Sequence, residues 1–469
     1  MEKDRPKPVT FRLDFDLRNY LWESKVCLAC AMCKYGDWIY VVSPEEYDFS
    51  WICPMWEWGV ADHYGTTGTA RLVNALLCGD IEPEYPTVKD VAYRCHLCGG
   101  CDMACKRNLE LEPLMMHHAL RVFLVDNGIG PMPEHKNISE RIKRKGNYFG
   151  REPRERMAWA KEGDVKVAEK SELLYFPGCY AAYKYPEISQ SVATILNKAD
   201  KPFMLMEGQG CCGYIPFVSG LIKEATETAS RSVEQIRDKG VKTVICECAD
   251  CYRMLKVEYP KMLGIATKDL GYEVVHSAEY ADRLIKEGAI RPSKEFKSKT
   301  TYHDPCGLGR LSEPWTPWEG IRDPDDWSKL KPPRNFRRGA EGCYEPPRDV
   351  LRSIEGLDLV EMSRHHHNAF CSGSCGGVRE AFPEQQKFET DVRLREANYA
   401  GAEVLVTANP RSYDVFNESL SRFQGGGMLK NIEEIEKRFS GTYTFKSLKE
   451  KKLHLKDIQD LNVLLASVI

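Results

Sequence analysis

Five thiols stand in a fixed rhythm between Tyr175 and Cys251. Cys179 ends the stretch Tyr175-Phe176-Pro177-Gly178-Cys179. After 31 residues comes Cys211-Cys212 between Gly210 and Gly213, after 35 more Cys248, and two residues later Cys251. Five cysteines cannot close into disulfides without a remainder, and adjacent cysteines rarely bond to each other because the ring strains the peptide. Thiolates gathered at the loop ends of a compact lobe are what an iron–sulfur cluster needs. The competing reading is five core cysteines, since cysteine buries easily. The grouping among glycines and prolines favours metal.

Two further runs precede this stretch. One is Cys27-Leu28-Ala29-Cys30-Ala31-Met32-Cys33, and the other places Cys95, Cys98, Cys101 and Cys105 in the spacing CxxCxxCxxxC. Three thiolates so spaced wrap one face of a cubane, and in two-cluster ferredoxins the fourth cysteine of each run ligates the other cluster. That assigns one [4Fe-4S] to Cys27, Cys30, Cys33 and Cys105. A second [4Fe-4S] falls to Cys95, Cys98, Cys101 and Cys53, which Pro54 follows. The aromatic insert 34–52 and Lys106, where a proline usually stands, depart from the ferredoxin pattern and leave the fourth ligand of each cubane open. His63, His96, His117 and His118 lie near these thiols, and one imidazole is expected to tune a cluster through an N–H to sulfur. Cys78 ends the apolar run ARLVNALLC and is expected in the core.

The rhythm of Cys179, Cys211, Cys212, Cys248 and Cys251 resembles the cysteine-rich CCG domain of the B and D subunits of heterodisulfide reductase and of related iron–sulfur oxidoreductase subunits. The text GTTGTARLVNALLCGDIEP followed by DVAYRCHLCGGCDMAC looks like the helical ferredoxin insert of such proteins. The resemblance implies that those five cysteines hold a non-cubane cluster of [4Fe-4S] type. It also implies a subunit of a larger anaerobic oxidoreductase that works with other redox subunits: a flavoprotein, a ferredoxin-type protein or a membrane quinone-linked subunit.

Such ligands need strands and helices to carry them. From Glu172 short apolar strands alternate with helices: strand 172–176, helix 187–196, strand 203–206, a long helix 217–239 and strand 241–246. The cysteines fall on the loops after the strands, which is the order of an α/β lobe. Cys246, on the last strand, is expected to be buried there.

The lobe then repeats. Tyr302–Cys306 matches Tyr175–Cys179, Phe370-Cys371-Ser372-Gly373 matches Gly210–Gly213, and Val404–Ser412 matches Thr243–Cys251. In this copy Ser372, Asn409 and Ser412 stand where Cys212, Cys248 and Cys251 stand in the first. Asparagine gives iron no sulfur, and serine replaces thiolate poorly, so the five-cysteine set is lost. Cys306, Cys343, Cys371 and Cys375 remain as a set for a further [4Fe-4S], against free cysteines in a vestigial lobe.

The predicted fold class is therefore α/β with an N-terminal, mostly helical, two-cluster ferredoxin-like domain and two pseudo-repeated α/β CCG lobes. The expected division is 1–127 ferredoxin-like, 128–170 a charged, solvated linker, 171–300 the first CCG domain, 301–425 the degenerate second and 426–469 a tail packed on the core or on a partner. The insertion Leu311–Arg338, with Trp315, Trp318 and Trp327, reads as a partner surface or a satellite core. His365-His366-His367 reads as solvated loop.

Composition narrows the function. The 469 residues carry 66 basic and 69 acidic side chains, net −3, a balance that calls for neither nucleic acid nor an anionic membrane surface. No apolar run reaches the roughly 18 residues of a span, and MEKDRPKPVT is no signal peptide. Nineteen cysteines then point to a reducing, cytoplasmic compartment, with any membrane contact made through a partner. No GxGxxG follows a strand, so no flavin or nucleotide is expected in this chain. The reading favoured is an electron relay between two cubanes and a non-cubane centre. The alternative is a catalytic disulfide or heterodisulfide reductase subunit, and a third is a scaffold whose clusters are structural.

Overall fold

The computed structural model describes residues 15–36, 49–108, 111–163, 165–315, 317–318, 320–323, 326, 329–333, 337–439 and 452–469. Phe11, Leu13, Trp327 and most of the insert 34–52 lie outside them.

Two four-stranded parallel sheets carry the α/β part. The first contains β1 Leu173–Tyr175, β2 Met204–Leu205, β3 Thr243–Cys246 and β4 Glu273–His276, in the order β2-β1-β3-β4. After it come β5 Ser298–His303, a small antiparallel hairpin of β6 Ile321–Arg322 and β7 Leu330–Lys331, then β8 Leu357–Leu359, β9 Val404–Thr407 and β10 Asp457–Asp460. The second sheet runs β8-β5-β9-β10. Taken in chain order within each lobe, the two sheets have the same strand order. The central strands β1, β3 and β9 are apolar and buried on both faces, as parallel strands covered by helices tend to be, and β5 is buried along Thr300–His303 although its residues are largely polar.

The register confirms the repeat. Tyr175 pairs with Ile245 across β1 and β3, and Tyr302 pairs with Val406 across β5 and β9. Counting on from these pairs sets Asn409 in the place of Cys248 and Ser412 in that of Cys251. The segment expected as a tail supplies β10, which pairs with β9 along Asp457–Asp460, and the helix Leu461–Val468. That last helix packs on Pro186–Lys198 of the first lobe, while the first lobe's Ser277–Lys286 packs on Glu345–Arg352 of the second. Each lobe thus lends its final helix to the other, which buries apolar faces that neither sheet covers alone.

Two other expectations change. The charged segment 128–170 is built into the body: it forms the helix Pro133–Lys145, and Ile138, Ile142 and Trp159 are buried in the core of the first lobe. Its charges conceal an apolar stripe at i, i+4. The helix expected over 217–239 is two helices, Tyr214–Val218 and Ile222–Asp238. Gly220 breaks it at φ +90°, and a Cβ there would come within 2.7 Å of the Arg121 backbone.

The N-terminal helices Thr66–Cys78, Pro86–Arg94 and Pro113–Asp126 share a core of Leu17, Tyr20, Val73, Val88, Met116 and Leu120 with neighbours. Phe15 lies edge-on to His118 and Phe217, with centroids 5.0 and 6.2 Å away. Cys78, expected in the core, is exposed at the end of its helix. Among the described residues no helix is long and apolar enough to cross a membrane.

Candidate metal centres

The two N-terminal cysteine runs share a backbone. Ala29 and Leu97, each two residues after the first cysteine of its run, have φ of +54° and +47°. Ala31 and Gly99, each following the second cysteine, have +64° and +75°. Left-handed residues at the same offsets curl the loop so that amides turn inward, a shape that favours a concentrated negative charge. The Leu97 N–H lies 3.4 Å from Cys95 Sγ.

Cys27, Cys30, Cys33 and Cys105 line one hollow. Burial pushes the Cys105 thiol up, and the thiols of Cys33, Cys27 and Cys30 add to this. Cys53 and Cys101 are each raised by burial and then by Cys95, Cys98 and Cys33 among their neighbours. Cys27, Cys30, Cys33 and Cys105 thus surround one hollow, and Cys53 and Cys101 each lie within electrostatic reach of Cys95, Cys98 and Cys33. Cys95 differs: burial would raise it, but His117 and Arg121 outweigh that and bring it down to about 6. His117 is thus the imidazole that touches a sulfur. His96 instead pairs with Glu389 at 2.5 Å in the interior.

In the first lobe Cys179, Cys211, Cys212, Cys248 and Cys251 converge at the C-terminal ends of β1 and β3 and beyond β2. Cys251 Sγ is 3.4 Å from Cys212 Sγ. Cys179 is raised by its hydrogen bond with Cys211, then by burial. Cys212 is brought down to about 6 by hydrogen bonds from Cys211 and Cys251. Gly178 is needed here, since a Cβ would meet Cys248 Cβ at 3.0 Å and Cys251 Sγ at 3.3 Å. Arg156, itself buried, directs a guanidinium nitrogen to Cys179 Sγ at 3.4 Å. Five buried sulfurs, a glycine where a side chain would intrude and a cation alongside fit a soft-metal cluster. Cys246 is buried on β3 as expected.

The second lobe gathers a different set from the four thiols expected. Cys306, Cys371 and Cys375 meet, and Cys98 of the N-terminal run packs against them. Cys343 lies elsewhere, in the larger core, with its N–H on the Leu308 carbonyl at 3.1 Å. The helices after the double-cysteine region also shift the alignment. Tyr214–Val218 and Val378–Ala381 are each preceded by a left-handed glycine, Gly213 and Gly377. Matching these glycines aligns Cys375 with Cys211 and Gly376 with Cys212, so Cys371 is an additional thiol. The similarity of CSG to CCG hid this offset.

A cavity of about 740 Å³ opens onto Cys211 and is edged by Lys143, Arg144, Lys145, Arg154 and Arg231 together with Glu207, Glu224 and Glu227, so solvated basic side chains of the helix Pro133–Lys145 border the first-lobe site. The adjacent imidazoles of the histidine run do converge: His365 Nδ1 and His366 Nδ1 are 2.6 Å apart, with Glu361 nearby.

Comparison with known proteins fits this geometry. The cysteine-rich CCG domain model matches residues 173–256 and 335–411. The D subunit of dihydromethanophenazine:CoB–CoM heterodisulfide reductase from Methanosarcina acetivorans is 33% identical over 333 residues, 70% of this chain and 73% of that one. The chain belongs to the family of heterodisulfide reductase D subunits. The Methanosarcina mazei member is 31% identical over 345 residues, 72% of this chain and 76% of its own. Beyond the family, similarity extends to EtfAB:quinone oxidoreductase of Syntrophomonas wolfei, 26% identical over 322 residues, 65% of this chain and 40% of that protein. The CCG match and these relatives make the chain an iron–sulfur, heterodisulfide-reductase-like oxidoreductase subunit.

Proposed function

We propose that the chain relays electrons within a larger redox complex. In this reading one [4Fe-4S] is held by Cys27, Cys30, Cys33 and Cys105, a second by Cys53, Cys95, Cys98 and Cys101, and a non-cubane cluster by Cys179, Cys211, Cys212, Cys248 and Cys251. The observation that carries it is the convergence of these thiols into groups: the N-terminal thiols around Cys33 and the five first-lobe thiols together. Cys30 is exposed beside Leu28, which is 70% exposed, Cys33 adjoins both cubane groups, and the first-lobe thiols are buried. The clusters would supply one-electron carriers whose potentials depend on burial, charge and N–H···S bonds.

The protein's own groups then do the rest. Leu97 and His117 direct N–H groups at Cys95, and Arg156 does so at Cys179. Leu28 offers an apolar contact where a partner would bring electrons to the first cubane; a flavoprotein, a ferredoxin-type protein or a membrane quinone-linked subunit fits that role. In this reading the work is done in the lobe interior, and the protein is cytoplasmic and reaches a membrane only through such a partner.

A second reading, catalytic cleavage of a disulfide, is favoured by one observation. The cavity at Cys211, where basic side chains outnumber Glu207, Glu224 and Glu227, would admit an anionic thiol or disulfide. Anoxic reduction with dithionite, followed by EPR, separates the two. The relay predicts signals from three centres that appear without any thiol. A radical-type signal that appears only with a thiol or disulfide supports the reductase, and centres that never change oxidation state rule out the relay.

A further inference from the structure

The second lobe has lost the five-cysteine pattern, yet it still concentrates sulfur. Cys306 follows β5, and Cys371 and Cys375 lie on the loop before Val378–Ala381. Cys306 Sγ is 3.1 Å from Cys375 Sγ, far beyond the ~2.05 Å of a disulfide. Cys371 hydrogen-bonds with both. The three residues are 7, 3 and 3% exposed.

The surroundings are those of an anionic centre. Arg310 is buried against the group, donating to the carbonyls of Cys98, His367 and Ala369 at 3.2, 2.8 and 2.6 Å, and its charge acts on Cys98, Cys306 and Cys371. Arg253, which is ion-paired with Glu258 at 2.8 Å, also acts on Cys306; Arg310 has no carboxylate partner among the described ion pairs. Burying an arginine costs much unless it is paired with negative charge. Three neutral thiols would not supply that charge. The polar side chains nearby are closed by one another: Ser372 Oγ is 3.0 Å from Ser412 Oγ and 2.9 Å from Ser374 Oγ, and Asn409, which like Ser412 replaces a first-lobe cysteine, donates to Ser412 at 3.4 Å. The donors that remain are the three sulfurs, with Cys98 and its run on the adjoining side.

We propose that Cys306, Cys371 and Cys375 hold a fourth iron–sulfur centre through three cysteine ligands, set between the Cys98 run and the first-lobe site. Zinc in a structural role takes four protein donors and closes its sphere. Three thiolates that leave one position without cysteine suit a cluster iron instead. The centre has neighbours on both sides: Cys98 on one, and on the other Tyr214, whose hydroxyl is acted on by Cys375 and Cys306. The proposal rests on the chain being an iron–sulfur protein.

The test compares iron, acid-labile sulfide and zinc in the anoxically prepared full chain and in a variant carrying Cys306→Ser, Cys371→Ser and Cys375→Ser. The expected result is a loss of about four iron per chain, unchanged zinc and one EPR signal fewer. Cys343→Ser should change nothing. Because the triple variant risks misfolding, Cys371→Ser alone is measured too; its hydroxyl suits the neighbouring serines, and it should alter one EPR signal while the others stay. Unchanged iron in both, a loss of zinc in place of iron, or a disulfide between Cys306 and Cys375 with no iron lost overturns the proposal. An unsubstituted chain free of iron would instead defeat the iron–sulfur reading itself.

Discussion

Cys248 Sγ lies 3.6 Å from Asn409 Oδ1, and the two residues occupy the same position of the two repeated lobes. The residue that replaced a cysteine in one copy thus touches that cysteine's counterpart in the other. A thiol at Cys248 donates to the amide oxygen. A thiolate would instead be met by the NH2 end after an amide flip.

Asn409→Leu removes that polar contact while keeping the volume. An N–H···S bond stabilises the more reduced, more negative state of a cluster. Redox titration by EPR should therefore show a lower potential for the first-lobe centre with iron content unchanged. An unaltered potential would mean that Asn409 only fills space.

Gly178→Ala pushes a methyl group against Cys248 Cβ at 3.0 Å, Glu247 Oε1 at 3.1 Å and Cys251 Sγ at 3.3 Å. The neighbours are held by strand and loop backbone and have little room to move. The variant should lose iron from the first-lobe centre and keep the two N-terminal signals. Full iron content would show that the five thiols need not stay so close.

Arg121 is fully buried and donates to carbonyls in all three parts of the molecule. Its contacts are Ala92 at 2.8 Å, Val218 at 2.7 Å and Gly376 at 2.6 Å, together with Tyr93 and Cys95. Arg121→Met leaves those buried oxygens without donors, which costs about 3 kcal/mol or more. Anoxic thermal unfolding should show a clear fall in Tm. A Tm within a degree of the parent would mean that water replaces the guanidinium.

Asp460 caps the last helix, accepting from the Asn462 N–H at 2.9 Å, and burial pushes its carboxyl up to about 7 from 3.8. A raised folded value means that the neutral form is favoured in the native state. The stabilisation is complete below pH 3.8 and is lost as pH rises towards 7. Asp460→Asn keeps a capping side chain and removes the loss, so stability should rise at pH 8, by a few kcal/mol at most at ~1.4 kcal/mol per unit, and not at pH 3.5. Equal stability at pH 8 would contradict the buried carboxyl as a source of strain.

Much of this was readable in one dimension because thiol spacing is local. The paired runs at Cys27 and Cys95 and the rhythm from Cys179 to Cys251 announced groups that the chain does bring together, and the repeat from Tyr302 onwards matches the strand register. What stayed hidden was set by distant contacts. Cys98 meets Cys306 from a remote part of the chain, and no spacing links them. Ile138 and Ile142 were masked by lysines and arginines on the same helix. Asp457–Asp460 is too polar to read as a strand, and it becomes one by pairing with β9. The offset that aligns Cys375 with Cys211 depends on where a helix begins, which left-handed Gly377 decides.

The most direct measurement is Mössbauer spectroscopy with iron and sulfide analysis on the anoxically prepared full chain and its Cys251→Ser variant. The account predicts an iron-rich parent in which one cluster type, distinct from the cubanes, disappears or changes in the variant while the cubane signals persist. An iron-poor parent, or a variant whose spectrum is the same as the parent's, would contradict it.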